Sequence, residues 1–165
     1  MAVVIGIDLG DRRVGVSVSD PTGTIAFPLP VLDGSDRPAL LRAIEDLVKE
    51  RGAERVVIGL PRNMNGSLGE RAEITLAFRE ELAARIDVPV DTWDERLSSA
   101  QAERVIRAGE GRETEKGGRP RRHGGRPRRG QEKGRIDRIA AVLILQSWLD
   151  RNASGPSEWD EGGTR

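Results

Sequence analysis

The sequence contains no cysteine. That excludes disulfides, thiolate metal sites and a cysteine nucleophile. It has one histidine, His123, in a stretch rich in Gly and Arg. Such scarcity argues against histidine-based nucleophilic catalysis and against a zinc site. No apolar run approaches the ~18 residues needed to span a bilayer. The opening MAVVIGIDLG has no basic segment before its apolar stretch and no small-residue cleavage site after it. It reads as a first strand and not as a signal peptide. No Walker A lysine motif occurs, which leaves a P-loop nucleotidase unsupported. For a chain of 165 residues the expectation is one soluble, cytoplasmic domain with no membrane partner.

Net charge is also missing, since 27 basic and 27 acidic residues cancel. The balance is uneven along the chain. Residues 111–135 carry ten Lys or Arg against three Glu, and the remainder is net −7. Within that segment GGRPRRH at 117–123 is followed by GGRPRRG at 124–130. Residues 110–134 show no apolar periodicity and read as a disordered basic loop. The loop is expected inside a domain spanning 1–150, with 151–165 as a polar tail. An acidic body with one strongly basic segment commonly meets an anionic polymer. Arg119, Arg121, Arg122, Arg126, Arg128 and Arg129 are the candidate phosphate contacts there.

The rest of the chain carries clear periodicities. Val3 to Asp8 is a short apolar run ending in an acid. Val14, Val16 and Val18 alternate with small residues, so two strands joined at Asp11-Arg12-Arg13 form a hairpin. Ile25 to Leu32 is a third extended segment, pushed toward a sheet edge by Pro28 and Pro30. Ser35 or Asp36 caps a helix whose face is Leu40, Leu41, Ile44, Leu47 and Val48, and Gly52 ends it. Val56 to Ile58 is a buried strand. Ser67 and Glu70 form a capping box for a helix with Ile74, Phe78 and Leu82 on its core side. Val88 to Trp93 is another strand. Ser98 and Gln101 form a second capping box, ahead of Ala102, Val105 and Ile106. Ile136 to Leu149 is apolar on every side and predicts a buried helix. The order predicts an α/β fold: a mixed five-stranded sheet, three antiparallel strands and then parallel additions, with helices on both faces.

Three acids sit at the ends of apolar elements: Asp8 after the first strand, Glu95 after Val88–Trp93, and Asp137 at the head of the last helix. A buried acid is costly unless paired or bound to a cation. Converging at one sheet edge, the three make an all-oxygen site suited to Mg²⁺ or Mn²⁺. Phosphodiester hydrolysis is the chemistry that follows. Each acid also has a plainer reading. Asp8 fits a turn before Gly10, Glu95 a surface ion pair within Asp94-Glu95-Arg96, and Asp137 a favourable charge at a helix N-terminus. Asp20, before Pro21, reads as a turn former, and Asp91 and Asp94 as solvated. The loop Gly59–Ser67, with Asn63 and Asn65, fits either a phosphate cradle or a plain strand-to-helix turn.

Four blocks then carry a resemblance: GIDLGDRRVGVSVSDPTG at 6–23, VVIGLPRNMNGSLGERA at 56–72, DERLSSAQAE at 94–103 and DRIAAVLILQSWLD at 137–150. Together, in this order, they resemble the YqgF (RuvX-like) family of pre-16S rRNA nucleases, earlier described as Holliday junction resolvases. The resemblance spans nearly the whole chain to residue 150. It implies a ribonuclease H-like fold and a cytoplasmic nuclease acting in 16S rRNA 5′-end maturation, with precursor rRNA and ribosomal particles as partners. Its acidic positions fall on Asp8, Glu95 and Asp137, as catalytic and metal-binding residues. Arg13, Asn63, Arg71 and Arg96 are the implied substrate contacts. The Gly-Arg-Pro repeat extends a connection that is shorter in the family. Other readings kept beside this one are a resolvase on branched DNA and a non-catalytic RNA-binding module. An actin-like ATPase needs a second domain for which the chain is too short.

Overall fold

The computed structural model describes residues 2–61, 65, 68–95 and 129–153, and for 129–137 and 153 the backbone alone. Its strands are β1 (Val4–Asp8), β2 (Arg13–Ser19), β3 (Ala26–Pro28), β4 (Leu32–Asp33), β5 (Arg55–Leu60) and β6 (Val90–Asp94). Its helices are α1 (Arg37–Arg51), α2 (Glu70–Ala83) and α3 (Arg129–Ala153). The sheet order is β3-β2-β1-β5-β6, with the two-residue β4 also pairing with β2. β2 is antiparallel to β1 and β3, whereas β5 and β6 are added in parallel. The expected five-strand mixed sheet is therefore present, and β4 is an addition that pairs with the start of β2.

Strand alternation divides the core. Ile5, Ile7, Val14, Val16, Val56 and Ile58 face α1 and α2, where they meet Leu40, Ile44, Phe78 and Leu82. Val4 and Val57 face the other way, onto Ile144, Leu145 and Leu149 of α3. Helices thus cover both faces. Asp36 caps α1 by accepting from the Ala39 amide at 3.2 Å, and Gly52 ends it in the left-handed conformation at φ 62°. Asp20 shapes the β2–β3 turn. It accepts from the amides of Thr24 and Ile25 and from the Thr22 hydroxyl, which lowers its pKa to about 2.

Four details differ from the sequence pattern. The N-cap of α2 is Gly69, without a side-chain cap bond, so Glu70 opens the helix and does not close a capping box. Ile74 is 41% exposed although Phe78 and Leu82 on the same stripe are fully buried. Ala72 and Thr75 take the inner positions of the first turns instead. β6 starts at Val90 because Pro89 has no amide to donate; its carbonyl accepts from the Val56 amide at 3.0 Å. α3 begins at Arg129, earlier than the apolar pattern from Ile136, so residues 129–134 are helical and not part of the expected disordered loop, whose residues 110–128 lie outside the described ones. The second expected capping box lies outside the described residues.

α3 lies flush against the sheet. An added Cβ at Gly6 would stand 2.5 Å from Ser17 Oγ, 2.7 Å from Leu145 Cβ and 3.2 Å from the Ala141 carbonyl oxygen. Ser17 donates to that carbonyl at 2.8 Å. Trp93 Nε1 donates to Ser147 Oγ at 3.1 Å, and Gln146 Oε1 accepts from the Ala26 amide at 2.9 Å. Gly6→Ala should therefore force α3 outward and cost about 1–3 kcal/mol, the usual range for overpacking a core. A urea melt with the midpoint lowered and the slope unchanged is the expected result; an unshifted midpoint would mean that α3 does not bear on Gly6.

Candidate active site

The parallel strands β1, β5 and β6 all end at one edge of the sheet, where open α/β sheets place their ligands. The last residue of β1 is Asp8, opposite Gly15 of β2. By alternation it shares the α3 face with Val4 and Gly6. Glu95 is the first residue after β6 and shares that face with Trp93, which packs on α3. Its carboxylate folds back over β5: an added Cβ at Gly59 would meet Glu95 Oε1 at 2.8 Å and also collide with Ile144. Gly59 thus leaves room for a carboxylate between strand and helix.

Asp8 and Glu95 share a hydrogen bond. Two carboxyl groups can do so only if one keeps a proton. The Glu95 pKa is raised to about 7, first by burial, then by the Asp8 charge, the shared hydrogen bond and the Asp94 charge, while Arg71 pulls it down. Asp8 is the last residue of a strand, and Glu95 is partly buried. Asp91, expected to be solvated, is ion-paired with Arg55 across β5 and β6.

Asp137 lies in α3, one turn before Ala141 and two before Ile144. Leu149 packs with Val4, Leu145 stands over Gly6, and the Ala141 carbonyl reaches Gly6 and Ser17. The helix therefore runs antiparallel to β1, and one further turn of about 5.4 Å carries its backbone toward the level of Asp8. The Asp137 side chain lies outside the described residues. Among the described residues, no three His, Cys, Asp or Glu side chains gather into a metal cluster.

Of the expected substrate contacts, Arg71 is exposed in the first turn of α2, within electrostatic reach of Glu95. Arg13 opens β2 at the same sheet end, and alternation with Gly15 and Ser17 puts it on the α3 face. Asn65 is exposed. Asn63, Arg96, Arg119, Arg121, Arg122, Arg126 and Arg128 lie outside the described residues, as does the Arg129 side chain. Sequence reading missed Gly6 and Gly59, although an isolated glycine inside a strand is a known sign of close backbone approach.

A family model described as "RuvX: Holliday junction resolvase" matches residues 2–151. The chain belongs to the RuvX family. Among RuvX relatives, a protein of Caldanaerobacter subterraneus subsp. tengcongensis is 40% identical, covering 89% of this chain and 95% of the relative. One from Gloeobacter violaceus is 44% identical, covering 89% and 83%. One from Desulforudis audaxviator is 38% identical, covering 92% and 96%. Each of these is named "Putative pre-16S rRNA nuclease". Among solved structures, Thermus thermophilus RuvC in complex with a Holliday junction substrate superposes with a TM-score of 0.56 at 16% identity, covering 92% of this chain and 97% of that one. Another T. thermophilus RuvC structure gives 0.54 at 16% identity, covering 91% and 96%. These likenesses establish the RuvC-like, ribonuclease H-type fold expected for a RuvX chain.

The Glu95 shift has a defined sign. Its carboxyl ionises near 4.5 when unfolded and near 7 when folded without a cation. The folded state therefore binds more protons between those values. Its contribution to stability is complete below pH 4.5 and is lost as pH rises through about 7. In EDTA, wild-type Tm should fall relative to Glu95→Gln between pH 5 and pH 8. Parallel Tm profiles for the two proteins would show that Glu95 does not hold the proton.

Proposed function

We propose that this chain is a divalent-metal-dependent nuclease that hydrolyses phosphodiester bonds, acting in the cytoplasm in 5′-end maturation of precursor 16S rRNA. The observation that carries the reading is the hydrogen-bonded Asp8–Glu95 pair at the carboxyl edge of the sheet. Two carboxyls held together with a raised pKa form an incomplete, all-oxygen donor set, which suits a hard cation such as Mg²⁺ or Mn²⁺. Asp8 and Glu95 would hold that cation, with Asp137 as the third carboxylate contributed by α3. When bound, such an ion activates water and stabilises the leaving oxygen of a phosphodiester.

The chain's own groups supply the rest. The pair must lose its shared proton before both carboxylates can act as ligands, so loading is easier above about pH 7. Arg71, whose charge acts on Glu95, would bind a phosphate oxygen and offset the negative charge of the pair. Arg13 adds a second cation at the same edge. The names of the relatives favour precursor rRNA and, through it, ribosomal particles as partners. The family description and the RuvC likeness support a second reading, cleavage of a four-way DNA junction. Resolvases cut two strands symmetrically and so need a dimer. No described helix is long and apolar enough to cross a membrane.

Asp8→Asn, Glu95→Gln and Asp137→Asn should each leave a folded protein and lower metal-dependent cleavage of precursor 16S rRNA ends by about 10²–10³-fold. Combining them should add little, because the three act as a unit. The rise in wild-type Tm on adding millimolar Mg²⁺ or Mn²⁺ should shrink in parallel. Full activity in a folded Asp137→Asn protein would remove α3 from the site. Preferential cleavage of a four-way junction would favour the second reading, and no cleavage of any substrate the non-catalytic one.

The basic repeat should contribute affinity through phosphate contacts. Each phosphate neutralised on a single strand adds roughly −0.7 to the slope of log K against log salt. If about four arginines engage, deleting residues 117–130 should flatten that slope by about 3. An unchanged slope would reduce the repeat to a linker.

A further inference from the structure

Beside the carboxylate edge, on the α1/α2 side of the sheet, lies a groove of about 280 Å³. It begins at Leu9, the residue after Asp8. Leu9, Leu40 and Ile74 supply its apolar lining, and Arg37 and Arg71 its cations. Asp11 is the acid among the lining residues. Ile74 is the anomaly. Its place on the Phe78–Leu82 stripe should bury it, yet it is 41% exposed and lines this groove. A position that breaks the local pattern without a packing gain is where function is expected.

The two cations are held differently. Arg37 is braced as part of the wall, 3.5 Å from Glu81 and with its guanidinium 5.2 Å from the centre of the Phe78 ring. Arg71 is exposed, lines the groove and also acts on Glu95. A ligand seated here would therefore have an anionic part toward Arg71 and an apolar, flat part against Ile74 and Leu9. A nucleotide has both. The volume is at the small end of ligand sites. It suits one nucleotide and not a stacked base pair, whose flat faces are already covered in a duplex.

We infer that this groove is a subsite for one unpaired nucleotide next to the phosphodiester bond that is cut. The inference rests on the nuclease reading for the identity of the neighbouring bond, but the binding itself does not require catalysis. The subsite makes the enzyme select single-stranded RNA at that flank, as base contacts on apolar side chains favour splayed bases.

The test is fluorescence anisotropy in EDTA with two probes, a short labelled single-stranded RNA and a blunt RNA hairpin of the same sequence. Wild type should bind the single strand about tenfold more tightly than the hairpin, the size of one lost base contact. Ile74→Ser should lose that preference while hairpin affinity and Tm stay unchanged. Ile74→Leu, which keeps the apolar wall, should retain it. Equal wild-type affinity for the two probes, or a preference that survives Ile74→Ser, would overturn the subsite. Cleavage of the same RNAs in Mg²⁺ is read separately. A preference lost in Ile74→Ser alongside no wild-type cleavage would uphold the subsite and overturn the nuclease reading.

Discussion

Helix α3 can approach the sheet closely because Gly6 and Gly59 put no side chain between them. At Gly6 the approach is taken up by Leu145 and by the Ala141 carbonyl, which Ser17 satisfies. At Gly59 it is taken up by Ile144 and by the carboxylate of Glu95. A backbone carbonyl and a carboxyl group are thus brought between helix and sheet, where an unpaired polar atom would be costly. Both have a hydrogen-bond partner, so the close contact is tolerated. The helix that contains Asp137 is set at its height and angle by the same two absences.

The carboxylate pair is the second constraint, and it opposes the first. Packing brings Glu95 toward Asp8, and burial and like charge together make the doubly ionised form unfavourable. One proton resolves the conflict in the free protein. In the proposed metal-bound form a cation would resolve it instead. In its absence the pair costs some stability near neutral pH. Arg71 offsets part of that cost from α2 without entering the pair.

Much of the fold was legible because period and punctuation agree. Val14, Val16 and Val18 read as a strand by their period and are one, and β2 is buried on both faces. Asp36 and Gly52 bracket α1 as their chemistry requires. Asp8 and Glu95 were legible as acids after apolar strands, and the sheet brings them within hydrogen-bond reach. Their contact was not readable, because it depends on which strands neighbour each other, and that is decided by tertiary packing. Ile74 misled for a related reason. Helical spacing puts it near Phe78, but Ala72 and Thr75 take the inner positions of these turns, and Ile74 lines the groove beside Leu9. Gly69 in place of a capping box marks the same end of the helix. Pro89 delayed β6 by removing one ladder donor, an effect visible in the sequence once the pairing with β5 is known.

The charge distribution follows from where the chemistry must sit. A site built of acids repels a polyanion, so the chain needs cations close enough to guide phosphate past the carboxylates without quenching them. Arg71 and Arg13 stand at the edge itself, on opposite faces of the sheet. Arg37 lines the neighbouring groove but is tied to Glu81 and Phe78, so it shapes more than it attracts. The basic segment between residues 111 and 135 carries net +7, which balances the net −7 of the rest. Screening limits an exposed charge to about 8 Å at physiological salt. A cation that steers from further out must therefore be carried on chain that can approach the substrate. Under the proposed function the local arginines would position a phosphate, and the basic segment would raise the encounter rate. The zero net charge of the whole is the sum of two regions of opposite sign.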